Sequence, residues 1–196
     1  MPTSNKLEKA FELFDKANAQ DPNKEEYQGK IYAKEVLYAI RMTTKLNAFA
    51  PAASEALQLT ARCQHICRWE IPRESYEMNR TGYLTWRQDL KRFHAKKAGE
   101  ILTSIGYDQK TINTVAFLLE KKQLKKNEAT QTLEDVICLV FLEFYFEPFA
   151  KKYSEEKLID ILQKTWRKMS EEGQQAAFKL PLSEESLLLV GKALKG

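Results

Sequence analysis

Apolar residues recur in this chain at spacings of three and four almost throughout, while runs that alternate apolar with polar are nearly absent. A stripe with that spacing lines one side of an α-helix and cannot line one face of a strand, so helices are what the chain has to build with. The fold expected is all-α, a single compact multi-helix domain over residues 1–196. No sheet of three or more strands is expected. A chain of 196 residues buries roughly 70% of the surface its unfolded form exposes, so neither a metal nor a disulfide staple is needed for folding. Cys63, Cys67 and Cys138 make an odd count, which argues against a disulfide framework and for a reducing compartment.

The periodicity predicts helices over about residues 7–17, 33–46, 52–68, 83–105 and 109–122. A strongly apolar helix opens at Thr132-Leu133-Glu134-Asp135, and Ser154-Glu155-Glu156 and Ser183-Glu184-Glu185 have the form of further N-termini. Gly106 suits a helix C-terminus and Asp108 the cap of the next helix. Residues 21–30 read as a polar loop. Residues 70–82, with Ile71-Pro72-Arg73 and Arg80-Thr81-Gly82, are the least regular part of the chain.

No apolar run approaches the ~20 residues of a membrane span, since residues 136–149 are interrupted by Glu143 and Glu147. Residues 1–9 have neither a signal-peptide apolar region nor an Arg/Ser-rich transit pattern, and the location expected is the cytoplasm. The net charge of +4 is compatible with an anionic ligand without requiring nucleic acid.

Charge is concentrated more sharply than that total conveys. Residues 62–97 hold nine basic residues against four acids (Glu70, Glu74, Glu77 and Asp89), a local charge of +5, so the remainder is close to neutral. Trp69, Tyr76, Tyr83, Trp86 and Phe93 are interleaved with the cations. Arginine grips phosphate or carboxylate with two parallel N–H groups, and Trp or Tyr offers a face on which a base can stack. Arg68, Arg73, Arg80, Trp86, Arg87 and Lys91 are the candidate ligand-binding residues; the bland alternative is a solvated charged face over packed aromatics. His65 and His94, the only histidines, flank this segment and are the candidate general bases, with Asp135 as a third candidate catalytic residue.

Other chemistry finds little support. On a helix Cys63 and Cys67 share a face from which His65 points away, so the three cannot close on one ion. There is no phosphate-binding Gly-rich loop ending in Lys, no Gly-x-Ser-x-Gly, no His-Glu-x-x-His and no paired Cys-x-x-Cys. The residues 121–126 run reads as a solvated helix end or a phosphate rim. No cofactor follows from the sequence.

Gln64-His65-Ile66-Cys67-Arg68-Trp69, Gly82-Tyr83-Leu84-Thr85-Trp86-Arg87, Phe93-His94-Ala95, Leu133-Glu134-Asp135-Val136 and Lys164-Thr165-Trp166-Arg167-Lys168-Met169-Ser170 together resemble an uncharacterised family of about this length, carried as a domain of unknown function. Some of its members bear the label glutamyl-tRNA synthetase, but neither signature of that enzyme is present. Lys168-Met169-Ser170 is a three-residue fragment of one.

More remotely, the chain resembles the HD superfamily of helical metal-dependent phosphohydrolases. The matching segments are Tyr38-Ala39-Ile40-Arg41-Met42, His65-Ile66, His94-Ala95-Lys96-Lys97-Ala98-Gly99-Glu100-Ile101-Leu102 and Glu134-Asp135-Val136. Tyr38 stands where that pattern has its first His, and Ile66 where it has the Asp of its His-Asp pair. The resemblance thus implies an HD-like helical bundle without the usual dinuclear metal centre. His65, His94 and Asp135, with Glu100, remain as donors for a single ion.

Two functions of different class are expected to compete: binding, with hydrolysis in prospect, of a phosphorylated or nucleotide-like small molecule, and RNA binding by the same surface. A structural or partner-binding role is the third. The histidines and the arginines of residues 68–87 are expected to converge on one concave surface.

Overall fold

The computed structural model describes residues 3–195. It is 72% helical and 4% strand, so the fold is all-α. Among the described residues are ten α-helices, one two-stranded hairpin, two short 3-10 turns at Arg68–Glu70 and Arg73–Ser75, and a π-helical turn. Contacts divide the chain into two units, the first made of residues up to 47 with 51–122, the second of 48–50 with 123–196.

The first unit begins with α1 (Thr3–Asn18), followed by a hairpin of β1 (Lys24–Tyr27) and β2 (Lys30–Ala33). This hairpin replaces the loop expected at 21–30. Its turn has positive φ at both Gln28 (50°) and Gly29 (73°), the backbone that matches the right-handed twist of two antiparallel strands. Next come α2 (Lys34–Phe49), α3 (Glu55–Cys63), α4 (Arg80–Ser104) and α5 (Gln109–Leu119). Helix α4 lies against α5, α3 against α5, and α1 against both α3 and α4. Their apolar stripes meet in a core of Phe14, Leu59, Ile66, Ala98, Leu102, Val115 and Leu119.

The second unit holds α6 (Glu128–Val140), a π-helical turn at Phe141–Tyr145, α7 (Phe146–Ala150), α8 (Glu155–Lys168), α9 (Glu171–Ala177) and α10 (Glu184–Lys195). Leu139, Leu142, Phe146, Leu158, Leu162, Met169 and Val190 form its core.

Side-chain caps fix most helix starts. Asn79, Asp108, Asn127, Ser154 and Ser170 each accept a backbone N–H from the first turn they precede. Helix α6 therefore opens at Glu128 behind Asn127, four residues before the expected start. No described helix is long and apolar enough to cross a membrane.

Candidate functional site

Helix α3 ends at Cys63 instead of running to residue 68 as the spacing predicts, and the chain leaves it through a tight turn. The Ile66 N–H bonds back to Cys63 O and the Arg68 N–H to His65 O, while Cys67 sits in the left-handed region at φ 52°. Such a φ is unusual without glycine and has to be held in place. Asn18, buried at the end of α1, does so: its Oδ1 accepts the Cys67 N–H at 2.9 Å and its Nδ2 reaches Glu35 O at 3.5 Å. His94, from the middle of α4, takes the other side by donating Nδ1–H to Ile66 O at 2.8 Å. His65 is thus displayed on a braced turn, and Cys67 does not share a helix face with Cys63. All three cysteines are buried, and none is in a disulfide.

Around His65 the partners come from four segments. Glu35 Oε2, in the first turn of α2, lies 3.3 Å from its Nδ1. The Tyr38 ring stacks on it at 3.9 Å and 10°. Arg68 Nη1 stands 3.2 Å from Nε2, and the His94 ring is centred 6.0 Å away. His65 keeps 23% of its side chain exposed, whereas Glu35 and His94 are buried. Glu35 is set by Asp21, whose buried carboxylate accepts the Glu35 N–H at 3.2 Å and the Asn23 N–H at 2.9 Å.

Electrostatics follow from this burial. Desolvation pushes the Glu35 carboxyl up to about 7, with Arg68 pulling the other way. Desolvation also carries the His94 imidazole down to about 3. His65 is held well below the ordinary imidazole range by desolvation and then by Arg68, Lys121, Arg87 and Lys34. Because Nδ1 carries the ring proton, His94 Nε2 is an acceptor, buried and without a hydrogen-bond partner among the described residues.

The candidate ligand-binding residues divide by what they touch. Arg68 joins His65 to Trp86, over whose ring its guanidinium lies at 4.8 Å. Trp86 is buried and donates Nε1–H to Ile71 O at 2.9 Å, fastening the irregular loop to α4. Arg87 donates to the Tyr83 hydroxyl at 3.2 Å and contributes to the positive field on His65. Lys91, one turn further along α4, is partly buried. Arg80 is exposed at the first residue of α4.

Arg73 does something other than expected. Its guanidinium donates to the carbonyls of Tyr76 (3.1 Å), Glu77 (2.7 Å) and Asn79 (3.2 Å), ordering the chain that enters α4. Gly82 belongs to the same construction, since an added Cβ would lie 2.1 Å from the Glu77 carbonyl oxygen. Arg73→Ala should accordingly cost ~1–2 kcal/mol of stability and speed amide exchange across residues 71–82. An unchanged melting temperature and exchange pattern would return Arg73 to the ligand.

Asp135 lies in the second unit, where both its oxygens are used. Oδ1 accepts the Ser170 N–H at 2.8 Å and Gln131 Nε2–H at 3.1 Å, and Oδ2 accepts the Ser170 hydroxyl at 2.7 Å. Ser170 in turn caps α9 by accepting the Gly173 N–H at 3.0 Å. Asp135 thus has the geometry of a latch on α9, and burial raises its carboxyl pKa against the pull of the Ser170 hydrogen bonds. The same contact accounts for Lys168-Met169-Ser170: Met169 is buried core and Ser170 is the cap. Glu100 is exposed beside Lys96. Among the described residues no group of three His, Cys, Asp or Glu side chains is placed to hold a metal ion.

A family model described as "Domain of unknown function (DUF4202)" matches residues 8–190, and the chain belongs to this family. Neither a curated protein nor a solved structure matches it.

Proposed function

We propose that this DUF4202 member binds a phosphorylated or nucleotide-like small molecule at the His65–Arg68–Trp86 surface of its first unit. The observation that carries this is the imbalance of charge at His65. Arg68, Lys121, Arg87 and Lys34 all act on that one ring, while the carboxylate against it, Glu35, is itself buried and reluctant to ionise. A surplus of positive charge around a reachable side chain favours an anion there, and each charge-assisted hydrogen bond to it offsets part of its desolvation. The Arg68–Trp86 stack sets a flat aromatic and a flat cation side by side, a surface suited to a base or similar ring next to a phosphate.

We read the scaffold as a degenerate HD-like bundle. Tyr38, which replaces the first His of that pattern, stacks directly on His65, so the position keeps its neighbour while losing its ligand atom. If the bound molecule is hydrolysed, His65 is the group available as base and Arg68 and Arg87 are the groups that neutralise phosphate charge. A cytoplasmic location accords with three buried cysteines outside any disulfide.

Calorimetric titration of the purified protein with adenosine monophosphate, inorganic phosphate and a single-stranded RNA tests the proposal. Saturable binding of a small phosphorylated probe is expected, and Arg68→Ala should weaken it by ~10–100-fold with little change in melting temperature. Tight RNA binding with a steep salt dependence, and no response to either small probe, would replace this reading by nucleic-acid binding.

A further inference from the structure

Both nitrogens of the His65 ring are engaged in the free protein, by groups of opposite charge. Arg68 can only donate, so His65 Nε2, 3.2 Å from Arg68 Nη1, presents a lone pair. The ring proton therefore sits on Nδ1 and faces Glu35 Oε2 at 3.3 Å, an assignment made from the partners. Tyr38, stacked at 3.9 Å, fixes the plane in which both contacts occur.

An arriving anion disturbs one side of this arrangement only. A guanidinium that turns to grip an anionic oxygen releases Nε2, and a bare lone pair beside that anion is repelled. One proton on Nε2 converts repulsion into a charge-assisted hydrogen bond, and the imidazolium so formed shares its Nδ1–H with the Glu35 carboxylate.

We propose that Glu35 is the positioning residue of the anion site: it holds His65 so that, once Arg68 turns to the ligand, the ring takes one proton from solvent at Nε2 and donates it to the oxygen of a phosphoryl-type dianion. This rests on the proposal that an anion binds here, and it narrows the ligand to a terminal, doubly charged group bound together with a proton. The balance per site is one dianion bound and one proton added at Nε2, less the proton that a protonated Glu35 carboxyl gives back to solvent, and apart from that N–H and O–H no covalent bond forms or breaks.

Cations outnumber acids around the pair, with Asp21 the acid that opposes them at Glu35. Glu35 is faced by Arg68 and His65 from the turn after α3, by Asp21 from the loop after α1, by Lys34 on its own helix and by His94 from α4. His65 is faced by Arg68, by Lys121 after α5, by Arg87 on α4 and by Lys34. Ligand charge that neutralises these cations makes both the ring and the carboxyl easier to protonate, so binding takes up protons and weakens as pH rises. With Glu35 titrating at about 7 in the free protein, the pair holds roughly half a proton at neutral pH and gains the rest on binding. His94 cannot substitute, because its Nδ1 is committed to Ile66 O and its pKa lies at about 3.

Sulfate is the probe, since it stays a dianion across the range and any proton uptake belongs to the protein. Calorimetry in two buffers of different ionisation heat should record uptake of about half a proton at pH 7, rising toward one at pH 8, with affinity falling ~10–20-fold between pH 7 and 8.5. Nitrogen-15 spectra at pH 7 should move the His65 ring from the neutral Nδ1–H form to imidazolium on saturation. Glu35→Gln should bind sulfate about tenfold more weakly and without the uptake, and His65→Gln should lose the uptake as well, which keeps the test intact if either variant folds poorly. Sulfate binding to the wild type with no uptake and a ring that stays neutral overturns this inference and leaves anion binding standing. Absence of any sulfate binding at this surface overturns both.

Discussion

Asp135→Ala should destabilise the protein by about 3 kcal/mol, lowering the melting temperature of the 196-residue chain by roughly 6–12 °C. The carboxylate is 2% exposed and accepts three hydrogen bonds, two of them from Ser170. Alanine takes the partner from the part-buried Ser170 N–H and frees the hydroxyl that caps α9. Gly173→Ala should act on the same latch from the opposite side, because its Cβ would fall 2.5 Å from Asp135 Oδ1. The two losses should be less than additive: Asp135→Ala removes the carboxylate atoms at 2.5 and 2.7 Å and leaves only the β-carbon of residue 135, 3.0 Å from the added methyl, so the double variant should lose less than the sum of the two. Additive losses, or a melting temperature within a degree of wild type for Asp135→Ala, would mean that Asp135 serves something other than the packing of α9.

Glu35→Gln should raise stability at alkaline pH and leave it unchanged in acid. The sign follows from a carboxyl lifted from 4.5 to about 7 in the folded state. The folded protein holds that proton more tightly than the unfolded chain, so the contribution is complete below pH 4.5 and is lost as pH rises through 7. A shift of that size corresponds to about 3 kcal/mol lost by pH 8.5, which a neutral amide avoids. His65 and His94 behave oppositely: both are depressed, so their contribution is present above the unfolded imidazole range and lost as pH falls below about 6.5. The variant should therefore keep the wild-type decline in acid while losing the alkaline one. Melting curves at pH 5, 7 and 8.5 decide the matter, and a Glu35→Gln variant less stable than wild type at pH 8.5 would refute it.

Where the chain announces its fold, it does so through local chemistry. Asp108, Ser154 and Ser183 mark helix starts because a short oxygen-bearing side chain there can take up a free N–H, and all three accept one. Gly106, at φ 77°, closes α4 for the complementary reason. The hairpin is hard to read from the sequence because its strands are four residues each and carry Lys and Glu, so hydrophobic alternation is missing; the Gln28-Gly29 pair is its local signal. The end of α3 was hidden as well, since helical spacing continues through residues 64–67 while the turn is imposed from outside by Asn18 and His94.

The same division applies to the site. His65, Arg68 and Trp86 stood out because they lie within one dense, basic, aromatic segment. Glu35, Asn18 and Asp21 are tens of residues away and individually ordinary, and Tyr38 is marked only by the place it takes in the HD pattern: Glu35 reads as a favourable first-turn acid and Asn18 as a helix end. Their roles arise only when α1, α2 and the turn after α3 are brought together. Asp135, by contrast, drew attention through an apolar neighbourhood that buries it for packing.

The π-helical turn at Phe141–Tyr145 bears on chain length. There the Phe146 N–H reaches back to Phe141 O, five residues instead of four, so the segment carries one residue more than a regular α-helix through the same points would need. Elsewhere in the helix a single deletion would rotate everything downstream by about 100° and swing Phe146 out of register with Leu139. Within 141–145 the surplus residue can be dropped while both flanks keep their phase. A related chain one residue shorter between Leu139 and Phe149 is thus best aligned with its gap inside this turn, where the difference leaves the core facing inward on both sides.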